Sequence, residues 1–491
     1  MIITSIRNWK PDPGTLLEWQ PTHRARIIAD AAPADSIPPT FLQENHVQGY
    51  LAKKSRGESH RAFLGVASEV DGDLDVVALT RALTRFVHRH DVLHTFFSAD
   101  GGIPVVHRVD RSAIDFEAAD AGDLTDSVDF QAYILARFES EATSVRWPGF
   151  AFGAVLRPGG FTLYYGCDHA FTDGASQALA FSELADLYQS EISATTPSPY
   201  TTALTDGFSV YARAEHERAA AYDTESPEVR EWLTIFADNG NKMPSFSLDL
   251  GLTPGQTAPV RPVELDLLDA PSTVSFDAVC KAAGGKLISG IYAAVSIADY
   301  ELAGRSDYYG MSVLSSRGLG NFHLSQGWMC SFAPVAFHVG ATSTFTELVA
   351  AAHAGHLRAK RLADVPIRSV LLALLEAGVA GHDVAASPNM LSYIDFRWFP
   401  GVGTPPYEGA MEFTGEGETS NASMWFNRDA RHLYLGSQTP DTAAARTQLE
   451  VYHQHLKRIF TTVAAHGEYR LSPAAATEEL HGLDRQTISG P

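Results

Sequence analysis

The apolar positions change period several times along this chain, and each change marks an element. Over D-V-V-A-L-T-R-A-L-T-R-F-V-H-R-H (75–90), Leu79, Leu83, Phe86 and Val87 fall at i, i+4, i+7 and i+8, which is one face of a helix. The pattern runs into R-H-D-V-L-H-T-F-F, where Phe96 and Phe97 open a strand-like run that A-D-G-G ends. F-A-F-G-A-V-L (150–156) and F-T-L-Y-Y-G-C (161–167) are joined by R-P-G-G and predict a hairpin, with Phe161, Leu163, Tyr165 and Cys167 on one face. S-Q-A-L-A-F-S-E-L-A-D-L-Y then returns to helical spacing, with Ala180, Leu184, Leu187 and Tyr188 on one stripe.

Residues 192–206, rich in Ser, Thr and Pro, read as a surface linker and place a boundary near residue 200. The expected halves are 1–200 and 201–491, and 491 residues suffice for two cores. Beyond the linker the pattern predicts a helix around L-I-S-G-I-Y-A-A-V-S-I-A-D-Y and strands around Y-Y-G-M-S-V-L-S, F-A-P-V-A-F-H-V, N-M-L-S-Y-I-D-F-R and N-A-S-M-W-F-N-R. Leu449, Tyr452, Leu456, Ile459 and Val463 form the apolar stripe of a closing helix, which leaves His453 and His455 on its surface side. Strand alternation assigns Trp425 to the core. Both halves are mixed α/β, and no sequence repeat relates them.

Composition narrows the function. Lys plus Arg number 37 against 58 Asp plus Glu, a formal charge of -21. No segment interleaves basic and aromatic residues, so nucleic acid is not an expected partner. Cys167, Cys280 and Cys330 are odd in number and widely spaced, which predicts free thiols in a reducing compartment, no disulfide and no zinc site. Outside the H-x-x-x-D-G stretch at 169–174, no histidine has a carboxylate or cysteine at ligand spacing, so no metal is expected. The N-terminus lacks an apolar h-region and no window approaches ~18 uninterrupted apolar residues. A cytoplasmic protein without a transmembrane segment is expected.

The residues that carry chemistry lie in Y-Y-G-C-D-H-A-F-T-D-G-A-S-Q (164–177), a strand, a short loop and a helix start. A chance H-x-x-x-D-G is expected at roughly 0.1 occurrences in a chain of this composition. A histidine just past a strand end is held on rigid elements and can still face a cleft, as a general base must. The competing reading of His169 is a structural histidine with its polar atoms satisfied.

H-H-x-x-x-D-G after a strand is the signature of the condensation-domain and chloramphenicol-acetyltransferase superfamily, and this chain resembles it in further blocks. P-P-T-F-L-Q-E-N-H-V-Q-G-Y (38–50) is similar to the family's opening block and R-H-D-V-L-H-T-F-F (89–97) to its R-H-E-x-L-R-T-x-F. D-Y-Y-G-M-S-V-L-S-S-R with Q-G-W-M-C-S-F-A-P-V (307–335) resembles the crossover block, and L-A-D-V-P (362–366) the short block after it. The N-terminal I-R-N-W-K-P-D-P-G-T-L-L-E-W, S-P-E-V-R-E-W, G-W-M-C and S-M-W-F-N-R most resemble the stand-alone Pap (polyketide-associated protein) acyltransferases, which acylate trehalose and related glycolipids.

That resemblance implies two chloramphenicol-acetyltransferase-like lobes in a V-shaped pseudo-dimer, with a channel between them and His169 near its middle. It implies His169 as the base, Asp173 paired with Arg317 to hold the loop, Gly174 permitting the turn into the helix, and the helix N-terminus assisting an anionic intermediate. Trp328, Trp425 and Asn427 are candidates for the channel lining, the alternative for Trp425 being the core role that strand alternation gives it. Arg89, His90 and Asp91 are expected to form a charged helix end. The chain departs from the pattern at Asp168, where the family has its first histidine. A loop-shaping role is expected there, with Asp168→His tolerated at modest cost.

The implied reaction moves a fatty or polyketide acyl group from a CoA or phosphopantetheine-linked carrier thioester to a sugar hydroxyl such as that of trehalose, with no bound cofactor. A carrier protein or polyketide synthase is the implied macromolecular partner of an otherwise free-standing enzyme. Neutral imidazole suits removal of a hydroxyl proton near pH 7. No Gly-x-Ser-x-Gly elbow occurs, so direct transfer is the simpler route. Two alternatives stay open: an amine acceptor giving an amide, and a non-catalytic recruitment module of the same fold.

Overall fold

The computed structural model describes residues 1–472. It divides into two compact units that are discontinuous in sequence. The first comprises Met1–Ala220, Ser315–Cys330 and Phe396–Gly417; the second comprises Ala221–Leu314, Ser331–Asp395 and the described residues from Glu418 onward. A single cut near residue 200 therefore misassigns three stretches.

The physical reason is non-local pairing. Strand Met411–Thr414 lies between Ile2–Ser5 and Phe63–Asp71, so more than 300 residues of sequence separate strands that share hydrogen bonds. Helix Phe208–Ala220 is tied back by Asp91, whose carboxylate accepts from the amides of Phe208 and Ser209 at 2.6 and 3.1 Å. Even the linker is anchored: it contains a short helix, Pro199–Thr202, and Arg89 donates to the carbonyls of Tyr200 and Ala203.

The first unit is built on a seven-stranded sheet in the order Ile2–Ser5, Met411–Thr414, Phe63–Asp71, Gly160–Asp168, Phe150–Arg157, Gly14–Pro21 and Phe116–Leu124. The first pair is parallel and the rest are antiparallel. The expected hairpin is present, with Phe152 opposite Tyr165 and Gly159 at φ 77°, a conformation that favours glycine. On one sheet face Phe161 meets Tyr188, of helix Gly174–Ser193, and Tyr165 meets Phe86, of helix Val76–Arg89. On the other, Phe130, Ile134 and Phe138 of helix Ser127–Glu141 pack with Trp9, Phe63, Tyr164 and Phe413. Helix Gly174–Ser193 is more than amphipathic: every residue from Ser176 to Leu184 is buried, polar ones included.

The second unit has its own seven-stranded sheet, ordered Cys330–His338, Asp307–Ser315, Met390–Asp395, Ser423–Arg428, His432–Pro440, Ala258–Asp269 and Glu418–Thr419. Helix Leu287–Ala303, buried over most of its length, and helix Ala443–His466 cover it. The five stripe residues of the last helix are buried, and so are His453 and His455, which corrects their surface assignment. This helix packs on both Ala270–Ala282 and Leu287–Ala303, so a second face is covered. There His455 meets Glu301 at 2.6 Å, and burial pushes His453 down to about 4.

Trp425 is also corrected. On Ser423–Arg428 it is Met424 and Phe426 that turn into the core, and alternation leaves Trp425 half-buried on the opposite face. All three cysteines are free, Cys167 and Cys280 buried and Cys330 half-buried. Among the described residues no single helix is long and apolar enough to cross a membrane.

Candidate active site

The strand Gly160–Asp168 delivers the chain into a tight 3₁₀ turn, His169–Phe171, and helix Gly174–Ser193 follows two residues later. The backbone of the turn is pinned at its start: the amide of Asp168 donates to Gly149 and that of His169 to Ala62, both at 2.9 Å. His169 is half-buried. Its Nδ1 lies 2.9 Å from the carbonyl of Thr172. A carbonyl can only accept, so Nδ1 carries the proton and Nε2 is left with a lone pair. Burial, and after it the neighbouring His46, pushes the His169 pKa below the ordinary imidazole value, while Asp173 and Asp168 oppose the shift. The imidazole is thereby kept in the neutral form a base requires.

Trp328 lies over this ring, 4.0 Å between centroids at 34°. Its placement depends on Gly327, whose φ of 143° favours glycine and where a Cβ would fall 2.1 Å from the Phe208 ring. The indole Nε1 points to Cys330 Sγ at 3.1 Å.

Asp173 and Arg317 meet in a buried two-point pair, at 2.9 and 3.2 Å. The carboxylate does more: it accepts from the amide of Ser176 at 2.7 Å, capping the helix, and from the amide of Met329 at 3.0 Å. Ser176 Oγ accepts from Arg317 at 2.6 Å and from Gly327 N at 3.1 Å, which joins the segment carrying Trp328 to the turn. Two expectations change as a result. The positive end of the helix is already occupied by Asp173, so it is not free to assist an anionic intermediate. Gly174 is the first helical residue, and the extended conformation that turns the chain belongs to Asp173, at φ -140° and ψ 176°.

Asp168 is almost fully buried and its carboxylate is shared three ways. Oδ1 accepts from Ala170 N and from His46 Nε2, both at 2.8 Å, and Oδ2 accepts from Ser144 N at 3.0 Å. His46, on helix Phe41–Ser55, is the residue that sequence reasoning missed. Its signals in the sequence were its place in the block 38–50 and its spacing of three from Gln43, which puts both on one helix face. With His60 these residues bring three potential ligand atoms within 4.8 Å, a proximity invisible in the sequence. The 2.8 Å contact between His46 and Asp168 is a hydrogen bond, shorter than the roughly 3.3 Å between two donors on a tetrahedral zinc ion. Burial pushes His60 down to about 4.

The remaining candidates lie apart in function or in fold. Arg89, His90 and Asp91 close helix Val76–Arg89, with His90 on Glu183 at 2.9 Å. Trp425 and Asn427 sit on strand Ser423–Arg428 of the second unit; Asn427 is fully buried and its amide donates to the carbonyl of Trp425 at 3.0 Å. Burial raises all three thiols, Cys280 to about 12, so none is a thiolate near neutrality.

The turn thus sets a half-buried histidine beside a buried aspartate–arginine pair. The family model for the condensation domain matches residues 37–377, and the chain belongs to that family. It is an enzyme that transfers acyl groups, as its relatives are. It is 29% identical over 371 residues to 2'-acyl-2-O-sulfo-trehalose (hydroxy)phthioceranyltransferase PapA1 of Mycobacterium tuberculosis (strain CDC 1551 / Oshkosh), covering 75% of this chain and 71% of that protein. Acyltransferase PapA3 of the same strain is 26% identical over 483 residues, 95% of this chain and 98% of the relative. Among solved structures, PapA2 acyl transferase superimposes with a TM-score of 0.83 at 22% identity, over 94% of this chain and all of that one. The first condensation domain of the calcium-dependent antibiotic synthetase does so with 0.65 at 16%, over 89% of this chain and 99% of the other. At these identities the structural likeness establishes the condensation fold alone, and the resemblance to Pap acyltransferases rests on the sequence relatives.

Proposed function

We propose that this acyltransferase moves a fatty or polyketide acyl group from a thioester, on CoA or on a phosphopantetheine carrier, to a hydroxyl of a sugar of the trehalose type. The observation that carries the chemistry is the bond from His169 Nδ1 to the Thr172 carbonyl, which leaves Nε2 as the basic atom. Nε2 removes the acceptor's hydroxyl proton as the oxygen attacks the thioester carbonyl. A tetrahedral intermediate forms, the C–S bond breaks, and the imidazolium returns its proton to the departing thiolate. No proton is gained or lost overall, and no covalent acyl-enzyme is needed. The raised thiols support this direct route, since none is poised as a nucleophile. The Trp328 ring over His169 favours the transient imidazolium, because a cation gains from an aromatic face.

The sugar acceptor is supported by the names of relatives, which include a trehalose-2-sulfate acyltransferase, PapA2, of Mycobacterium tuberculosis, and glycolipid biosynthesis is the setting that follows. Incubation with a panel of acyl-CoAs and acyl carrier proteins, offered trehalose, trehalose sulfate, other sugars and amines, tests the reading by mass spectrometry. A sugar ester is the expected product. An amide would replace the acceptor assignment, and no product with any pair would favour a recruitment role.

A further inference from the structure

We propose that His46 is a positioning residue for acyl transfer: helix Phe41–Ser55 holds the histidine turn from beneath, and His46 is the side chain through which it does so. This rests on His169 being the base. The helix reaches the turn at two points three residues apart. Gln43 donates from Nε2 to the carbonyl of Ala170 at 2.9 Å, and its Oε1 accepts from the amide of Thr40 at 3.1 Å, closing the helix's own capping box. One turn along, His46 Nε2 bonds the Asp168 carboxylate at 2.8 Å. Residues 168 and 170 flank His169, so the base is held on both sides by one rigid element.

The surroundings of His46 leave it little freedom. Its ring stands edge-on to Trp328, 5.8 Å between centroids at 89°, and edge-on to His60 at 4.9 Å and 73°. His60 is backed in turn by Tyr50 from the same helix, at 5.3 Å. Trp328 is the ring that covers His169, so His46 also sets the wall against which the base rests. Asp168 is the partner this arrangement requires. A carboxylate can accept from Ala170 N, Ser144 N and His46 together, whereas an imidazole at that position has at most one acceptor nitrogen. The departure from the family's paired histidines and the presence of His46 are therefore two parts of one device.

The experiment compares the full-length parent with His46→Leu, His46→Gln and His169→Ala, using palmitoyl-CoA with trehalose for rates and ring-¹⁵N-histidine labelling for NMR. Glutamine places its amide nitrogen where imidazole Nε2 was, so it keeps the donor. His46→Leu is expected to lower kcat about 10- to 100-fold with KM within about twofold, and His46→Gln to recover to within about threefold of the parent. The His169 ring spectrum should show a single Nδ1–H tautomer in the parent and in His46→Gln, and a mixture in His46→Leu. A parental rate and ring spectrum in His46→Leu would overturn the proposal, as would a His46→Gln protein as impaired as His46→Leu. A parental rate in His169→Ala would instead remove the base assignment, and the ring spectrum would still decide whether His46 sets the turn.

Discussion

Each unit runs a hairpin into a long helix, and the two joins differ. In the first unit, strand Gly160–Asp168 lies centrally between Phe63–Asp71 and Phe150–Arg157, and helix Gly174–Ser193 follows after the five residues 169–173. In the second, strand His432–Pro440 lies centrally between Ala258–Asp269 and Ser423–Arg428, and helix Ala443–His466 follows after only Asp441 and Thr442. The likeness extends to the neighbours. Phe63–Asp71 is followed by helix Val76–Arg89, which packs on Gly174–Ser193, and Ala258–Asp269 by helix Ala270–Ala282, which packs on Ala443–His466. The scaffold is thus repeated, and the proposed base lies in the longer join. Room for a 3₁₀ turn is what lets a histidine leave the strand with its Nδ1 tied back and its Nε2 free. The short join has a Thr442 cap on Ala445 N and no histidine.

If the longer join is the source of activity, removing its base should give the largest effect. His169→Ala is expected to lose ~10²- to 10⁴-fold in kcat with little change in melting temperature, since it deletes proton transfer and little core. The parent's pH profile carries the matching sign. A base works when neutral, and burial lowers the His169 pKa, so kcat/KM should be full above the ordinary imidazole value of ~6.5. It should fall only as pH drops through a lower apparent pKa. An acid limb centred above that ordinary value would contradict the burial argument.

Next in size is the pair that holds the longer join shut. Asp173 and Arg317 are both nearly fully buried, so removing one leaves the other uncompensated, a loss of about 3–5 kcal/mol in such settings. Asp173→Asn and Arg317→Ala should each lower both stability and rate. The double variant should lose less than the sum, with a coupling well above the ~0.5 kcal/mol of independent sites. Strict additivity in urea unfolding would show that the contact is not energetically linked.

What could be read from the sequence follows the same contrast between local and non-local information. The hairpin, the turn and the helix after it are contiguous, and their periods and turn residues survive in short windows. The repeated scaffold was not visible, because topology repeats while residues do not: H-A-F-T-D occupies one join and D-T the other. His46 was not visible either, since it lies 122 residues before Asp168 and only folding brings them to 2.8 Å. The discontinuous units, the buried faces of His453 and His455 and the outward side of Trp425 share that cause. Each depends on which second element covers a face, and periodicity in one element carries no such information.

Asp168→His sharpens the comparison at the next level. Sequence pattern alone expects it to be tolerated, but the structure gives the carboxylate three donors to satisfy. An imidazole would leave at least one of the buried Ala170 and Ser144 amides unpaired and set two histidines against one another, so a loss of about 1–3 kcal/mol is expected, with a fall in rate. Melting and initial rates of Asp168→His beside His46→Asp/Asp168→His would test the dependence on His46. Recovery of stability in the double variant identifies the pair, and a single variant as stable as the parent would show that the carboxylate is dispensable.

The smallest effect belongs to the short join. Thr442 Oγ1 accepts from the amide of Ala445 at 3.0 Å and donates to the carbonyl of Leu250, so its role is to start a helix and fasten a loop. Thr442→Ala should cost about 1 kcal/mol, the ordinary value of a lost cap, and Thr442→Ser should restore most of it. Since nothing in this join is basic and held free, the same substitution should leave kcat and KM within about twofold of the parent once the protein is folded. Urea unfolding and initial rates measured on one preparation separate the two quantities. A tenfold fall in kcat with the expected small loss of stability would mean that the second join, too, contributes to the transfer step, and that the division of labour drawn from the two joins is wrong.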